Sequence, residues 1–133
     1  MSGLDDAVLI KDNHIAVAGG IALAINRARS YAGHLVMVEV EVDNLDQLRE
    51  ALDANPDSIL LDNMSPRNIT EAVAINKATN GGSARLEASG NVNINTIRVI
   101  AETGVDYIST SKITMAAPTL DLGLDLDIAT NDV

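Results

Sequence analysis

The chain has 133 residues, a length typical of one domain, and its 19 acidic and nine basic side chains give a net charge of −10. This charge argues against nucleic acid or an anionic membrane surface as a partner, because both need a basic footprint. The sequence has no cysteine, which excludes disulfides and thiolate sites, and without a basic leader or an apolar run near roughly 18 residues we expect a cytoplasmic protein.

Five short segments rich in apolar residues predict β-strands, and polar residues stand at or after the end of each. The first strand, Ala7–Ile10, is followed directly by Lys11-Asp12-Asn13-His14. Its four consecutive apolar residues are typical of a strand buried on both faces of a parallel sheet. The other four predicted strands cover residues 35–42, 58–61, 84–88 and 105–109.

Helical spacing and capping residues predict four helices between these strands. The first begins at Gly20 or Ile21, ends at Gly33 and is expected to bury Tyr31 together with its aliphatic side. The other three begin after the N-cap residues Asn44, Ser65 and Asn93, and the last of them is expected to bury Ile94.

The alternation of strands and helices indicates an α/β fold with right-handed crossovers. A repeat of roughly 20–30 residues fits the β/α unit of a barrel, but a complete barrel needs about 250 residues. We therefore predict a partial α/β barrel of about five parallel strands over residues 1–116. A short helical turn follows, and residues 120–128 alternate leucine with aspartate, which predicts a half-exposed strand within a C-terminal return segment, residues 117–133, that frays at its end.

The polar residues at the strand ends should share one rim, since ligands bind at the carboxyl ends of parallel strands. Each residue alone has an ordinary explanation. An aspartate such as Asp62 is more often an N-cap than a ligand, Glu41 could face water, and His14 could be a structural hydrogen-bonding residue. Because all five strands end in polar residues, a binding rim is favoured. It would be formed by Lys11–His14, Glu41, Asp62-Asn63, Ser89-Gly90-Asn91, Ser109, Ser111 and Lys112.

The residue types at this rim suggest a ligand. Ser89-Gly90-Asn91 precedes a predicted helix and has a glycine that permits close approach, so it is suited to cradle a phosphate. Glu41 and Asp62 could hold sugar hydroxyls or a hard cation such as Mg²⁺. Lys11 supplies a positive charge for a carboxylate or phosphate. A phosphorylated sugar with a metal is the simplest ligand for this set.

Six segments in the same order resemble the quinolinate phosphoribosyltransferase family, also called carboxylating nicotinate-nucleotide pyrophosphorylases. They are residues 3–14, 38–42, 60–64, 87–91, 102–109 and 120–125. The resemblance implies an incomplete α/β barrel, a dimer and Mg²⁺. It also implies a reaction of NAD biosynthesis, in which quinolinate and phosphoribosyl pyrophosphate give nicotinate mononucleotide, pyrophosphate and carbon dioxide.

The resemblance also implies roles for the rim residues. Lys11, Glu41 and Asp62 would be catalytic, with Glu41 and Asp62 at the ribose hydroxyls and the metal. Substrate or phosphate would be bound by Lys11, His14, Ser89, Gly90, Asn91, Ser111 and Lys112.

Two parts of the family pattern are absent from this sequence. The Thr-Arg-Lys-Thr segment and the His-Arg pair that precede Gly3 in the family are not found, nor is the N-terminal sandwich domain whose arginines grip quinolinate. We therefore expect the barrel part of a transferase that is inactive alone. The alternative is a self-associating structural half-barrel fragment without activity, because uncovered sheet edges tend to pair. Another phosphate-binding barrel enzyme is a third interpretation.

Overall fold

The computed structural model describes residues 7–11, 20–33, 35–110 and 113–119. This part of the chain contains six strands and four α-helices, which alternate until the last strand. The strands are β1 (Ala7–Lys11), β2 (Met37–Val42), β3 (Ser58–Asp62), β4 (Arg85–Ser89), β5 (Tyr107–Ser109) and β6 (Thr114–Ala116). The helices are α1 (Ile21–Ala32), α2 (Leu45–Asp53), α3 (Pro66–Asn80) and α4 (Ile97–Ala101).

The strands form one sheet whose spatial order follows the order of the chain. Strands β1 to β5 are parallel, so the predicted partial α/β barrel with five parallel strands is confirmed. Strand β6 was not predicted. It runs antiparallel to β5, Thr110 N–H donates to Ile113 O at 2.8 Å, and its three residues are too few to show a period.

The two faces of the sheet differ. One face packs against the helices, and its valines at positions 38, 40 and 42 are fully buried. The other face, which we call the open face, leaves Leu9 49% and Met37 38% exposed. The prediction that β1 is buried on both faces is therefore wrong, because the described helices cover the sheet from one side.

The caps of the two central helices follow the prediction. Asn44 Oδ1 accepts a hydrogen bond from Gln47 N–H at 2.8 Å at the start of α2. Ser65 Oγ accepts from Asn68 N–H at 3.2 Å, and Pro66 is the first residue of α3. Within the described ranges, no helix combines the length and the apolarity that a membrane crossing needs.

Two helix predictions are wrong in detail. Tyr31 is 96% exposed, because it lies six residues after buried Ile25 and therefore about 240° around α1. Helix α4 begins at Ile97, since Asn93 Oδ1 accepts from the N–H groups of residues 95 and 96 and so caps a turn that precedes the helix. Ile94 lies in that turn and is 38% exposed.

Two aspartates tie neighbouring strands together at the amino ends of the strands. Asp57 Oδ2, just before β3, accepts from Val38 N–H at 2.8 Å and from Arg29 Nη2 at 3.1 Å. Asp106 Oδ2, just before β5, accepts from Leu86 N–H at 2.8 Å. These bonds fix the end of the sheet opposite the predicted rim.

The C-terminal division of the chain stays a prediction. A short 3₁₀ turn, Ala117–Thr119, follows β6, and Ala117 is buried in the core. The alternating residues 120–128 lie outside the described part of the chain, so the boundary between residues 1–116 and 117–133 is not tested.

Candidate functional site

The carboxyl ends of four neighbouring strands bring four predicted site residues to the open face. Lys11 is paired in register with Glu41 across β1 and β2, and Asp62 is paired with Ser89 across β3 and β4. The residues between these positions, such as Val42 and Leu61, point into the helix-covered core. The predicted rim therefore exists as a geometric arrangement on one face and at one end of the sheet.

Three carboxylates meet at this rim, which we call the acidic group: Glu41, Asp43 and Asp62. One carboxylate oxygen from each lies within 4.8 Å of the other two. Asp43 was not predicted as a site residue. The signal for it was available, because Glu41 and Asp43 continue the period-two alternation of β2 toward the same face. The backbone at Asp43 is held by its N–H, which donates to Gln47 Oε1 at 2.6 Å.

The acidic group suits Mg²⁺ by its chemistry, because Mg²⁺ binds carboxylate oxygens. Mg²⁺ holds its oxygen ligands at about 2.1 Å in an octahedron, so adjacent ligand oxygens are about 3 Å apart and opposite ones about 4.2 Å apart. The three carboxylate oxygens lie within 4.8 Å of one another, so the side chains would move closer together to bind one ion directly. Glu41, Asp43 and Asp62 can therefore supply part of a magnesium site, with water or ligand oxygens at the remaining corners.

The segment Ser89-Gly90-Asn91, which we call loop 89–91, stands beside the acidic group. Gly90 has φ 78° and Asn91 has φ 54°, so the chain turns sharply after β4. Thr96 Oγ1 donates to Asn91 O at 2.7 Å and closes the turn. Because α4 begins only at Ile97, the loop itself, and not a helix N-terminus, is the candidate phosphate cradle.

Lys11 is the positive charge nearest the end of β1. Its side chain is exposed and, within the described part of the chain, forms no ion pair. The register places it beside Glu41 on the open face. It is therefore available to an anionic ligand that also contacts the acidic group.

A second layer of acidic side chains lies on the open face toward the amino ends of the strands. Glu39 accepts a hydrogen bond from Ser58 Oγ at 3.0 Å, and Glu87 accepts one from Ser109 Oγ at 2.6 Å. Burial raises the pKa of Glu39 above its ordinary value; the Ser58 hydroxyl opposes this rise, and the charges of Glu87 and Glu41 add to it. Glu39, Ser58 and Glu87 line a concavity of about 490 Å³.

Three predicted site residues are not tested by the structure. His14, Ser111 and Lys112 lie outside the described residues. Their assignment to substrate or phosphate binding stays a prediction from the sequence.

A parallel sheet with helices on one side and polar strand ends on the other defines a segment of an α/β barrel with its ligand rim at the carboxyl ends of the strands. Residues 1–125 match the family described as quinolinate phosphoribosyl transferase, C-terminal domain. The chain belongs to this family.

Relatives of this chain are longer than the chain itself. It is 37% identical over 131 residues to the probable nicotinate-nucleotide pyrophosphorylase (carboxylating) of Bacillus subtilis. The matched residues make up 98% of this chain and 44% of that relative. The structure of nicotinate-nucleotide pyrophosphorylase from Ehrlichia chaffeensis shares 51% identity and a TM-score of 0.69, over 79% of this chain and 36% of that one. The one from Francisella tularensis shares 46% identity and a TM-score of 0.70, over 85% and 40%. The chain thus spans less than half the length of these relatives.

Proposed function

We propose that the chain is the barrel part of a cytoplasmic phosphoribosyltransferase. The enzyme would make nicotinate mononucleotide from quinolinate and phosphoribosyl pyrophosphate, with loss of carbon dioxide, in NAD biosynthesis. The observation that carries this proposal is the placing of Lys11, the acidic group and loop 89–91 on neighbouring strand ends of one face. Membership of the family adds support.

The proposed roles follow the chemistry of each group. Loop 89–91 would bind the 5′-phosphate, and Glu41 and Asp62 would hold the ribose hydroxyls. Lys11 would contact a quinolinate carboxylate or a phosphate, and His14, Ser111 and Lys112 would add further contacts to substrate or phosphate. The acidic group would also hold Mg²⁺, which when bound neutralises phosphate oxygens of the substrate.

The reaction needs groups that hold two anions together and stabilise a positive sugar. As the bond from ribose C1 to the pyrophosphate oxygen breaks, the pyridine nitrogen bonds to C1. The 2-carboxylate of quinolinate then leaves as carbon dioxide, and C2 takes a proton. Carboxylates at fixed positions near the ribose, such as Glu41 and Asp62, favour the cationic character that develops at C1.

The described rim would support this reaction only in part. Quinolinate and phosphoribosyl pyrophosphate both carry several negative charges, and among the carboxyl ends of the described strands Lys11 is the only cation. The acidic group would repel both substrates in the absence of a metal. We therefore propose weak binding of phosphoribosyl pyrophosphate with Mg²⁺ and negligible turnover by this chain alone.

Isothermal titration calorimetry with phosphoribosyl pyrophosphate and Mg²⁺ tests the proposal. The wild-type chain should release heat that the double variant Glu41→Gln, Asp62→Asn loses. The matched control is Glu50→Gln, which removes one charge from the exposed side of α2 and should bind as the wild type does. A folded wild-type chain that gives no heat at millimolar ligand would overturn the proposed function.

A second candidate is self-association without activity, and one observation favours it. The outer edge of β1 pairs with no other strand in the described part of the chain, and Leu9 on this strand is half exposed. Such an edge can pair with another chain. Light scattering would reveal a dimer or larger species, whereas a well-folded monomer at all concentrations would exclude this candidate.

A further inference from the structure

The acidic group and loop 89–91 are joined by one close backbone contact. Asn63, which follows Asp62, donates its N–H to Ser89 O at 2.7 Å. A Cβ atom added to Gly90 would lie 3.2 Å from the N, Cα and Cβ atoms of Asn63. The two loops that follow β3 and β4 therefore touch without space for a side chain between them.

The conformation of Asn63 is unusual and makes this contact possible. Its φ is 57°, in the left-handed region, which most residues with a side chain avoid but asparagine tolerates. The side chain of Asn63 is exposed to solvent. The β3–β4 ladder pairs Asp62 with Ser89, and the backbone of Asn63, rather than its amide group, makes the contact with the glycine that follows.

We propose that Asn63 is a positioning residue that, through its contact with Gly90, sets where the part of loop 89–91 beyond the ladder lies relative to Asp62. In this arrangement one ribose 5-phosphate group reaches both, with its phosphate at the loop and its hydroxyls at the acidic group. The proposal rests on the proposed function, because it concerns the same ligand. Two weak contacts joined in one ligand bind far more tightly than each alone, but only if their spacing matches the ligand.

Three variants alter the contact in different ways. Asn63→Ala places an ordinary side chain at a left-handed position, so the backbone is strained there. Gly90→Ala inserts a methyl group into the contact. Asn63→Gly removes the side chain but permits the same φ, so it should keep the backbone contact with Gly90.

The test compares a whole ligand with its parts. In Asn63→Ala and Gly90→Ala, the affinity for ribose 5-phosphate at saturating Mg²⁺ should fall at least about tenfold. In Asn63→Ala, the affinities for inorganic phosphate alone and for Mg²⁺ alone, followed by NMR shift titration and calorimetry, should change less than about twofold, because each part contacts one side only. In Gly90→Ala, which alters the phosphate loop itself, only the affinity for Mg²⁺ alone should stay within about twofold. Asn63→Gly should stay within about threefold of the wild type in all three titrations.

Gly81→Ala is the matched control for strain. Gly81 has φ 65° at the end of α3, and a Cβ atom there has no neighbour within 4 Å. The variant should lower the thermal unfolding midpoint through the same kind of backbone strain and should leave all three affinities unchanged. A loss of ribose 5-phosphate binding in Gly81→Ala would show that strain anywhere weakens binding and would overturn the positioning role.

The other possible results also decide whether Asn63 has a positioning role. An unchanged affinity for ribose 5-phosphate in Gly90→Ala, an equal loss for the separate parts in Asn63→Ala, or a loss in Asn63→Gly as large as in Asn63→Ala would overturn the positioning role while the proposed function stands. A folded wild-type chain that binds no ribose 5-phosphate would overturn the proposed function, and the positioning role would fall with it.

Discussion

Replacing Asp57 by alanine should destabilise the chain by about 2–3 kcal/mol, most of which comes from one backbone hydrogen bond. The carboxylate accepts from Val38 N–H at 2.8 Å, and its loss leaves a donor in a fully buried residue without its partner. This costs about 1–3 kcal/mol. The ion pair with Arg29 adds only about 0.2–1 kcal/mol, because the two side chains are 26% and 35% exposed and solvent screens them.

Urea unfolding of related variants separates the two contributions. Arg29→Ala should cost at most about 1 kcal/mol, since the bond to the backbone remains. Asp57→Asn keeps an acceptor oxygen and should cost about 1 kcal/mol. Asp106→Ala removes the acceptor of Leu86 N–H and should cost about 1–3 kcal/mol. The control Asp53→Ala, at the exposed end of α2, should stay within about 0.5 kcal/mol of the wild type.

The order of these costs is the critical result. If Arg29→Ala is as destabilising as Asp57→Ala, the ion pair and not the backbone bond stabilises this end of the sheet, and the reasoning is wrong. The same conclusion would follow if high salt removed most of the difference between Asp57→Ala and the wild type, because salt screens ion pairs far more than buried hydrogen bonds.

Three further predictions concern stability. Burial raises the pKa of Glu39 above its ordinary 4.5, so at pH values between 4.5 and the raised pKa the folded chain binds more protons than the unfolded chain. The stability that this group contributes is therefore lost as the pH rises through the folded pKa. Glu39→Gln should therefore be more stable than the wild type at pH 7 in urea titrations, and this difference should shrink toward pH 4.5. Glu71→Gln, on the exposed side of α3, controls for the lost charge. An equal gain in stability in Glu71→Gln would refute the role of burial at Glu39. Leu48→Ala, in the fully buried face of α2, should lower the free energy of unfolding by about 2–5 kcal/mol, whereas Leu23→Ala at a 40% exposed site should lower it clearly less. Equal losses in the urea midpoint would contradict the burial of Leu48. Gly104→Ala should lower the thermal midpoint by several degrees, since the residue has φ 93° and the new Cβ would lie 3.2 Å from a valine methyl group; an unchanged midpoint would argue against that packing.

The fold and the rim were predictable from local patterns. Short aliphatic runs such as Ile59–Leu61 and caps such as Ser65-Pro66 depend on neighbours in sequence, which a single chain displays directly. The rim follows because parallel strands carry their carboxyl ends to the same edge. Hence the sequence alone places Glu41, Asp62 and Ser89 in one group.

The remaining features depend on contacts between distant residues. The contact of Asn63 with Gly90 joins two loops far apart in sequence and has no periodic signal. The exposure of Leu9 depends on which face the helices cover, and an aliphatic run looks the same whether it is covered on one side or on both. Asp43 is the exception, because the alternation in β2 pointed to it.

Since each strand of this sheet pairs only with its neighbours in the chain, a cut between two β/α units interrupts a single ladder of hydrogen bonds. Every other ladder stays within one contiguous piece. A protein built this way can be divided and rejoined at such seams, or can gain and lose units there during evolution, with little damage to the units that remain.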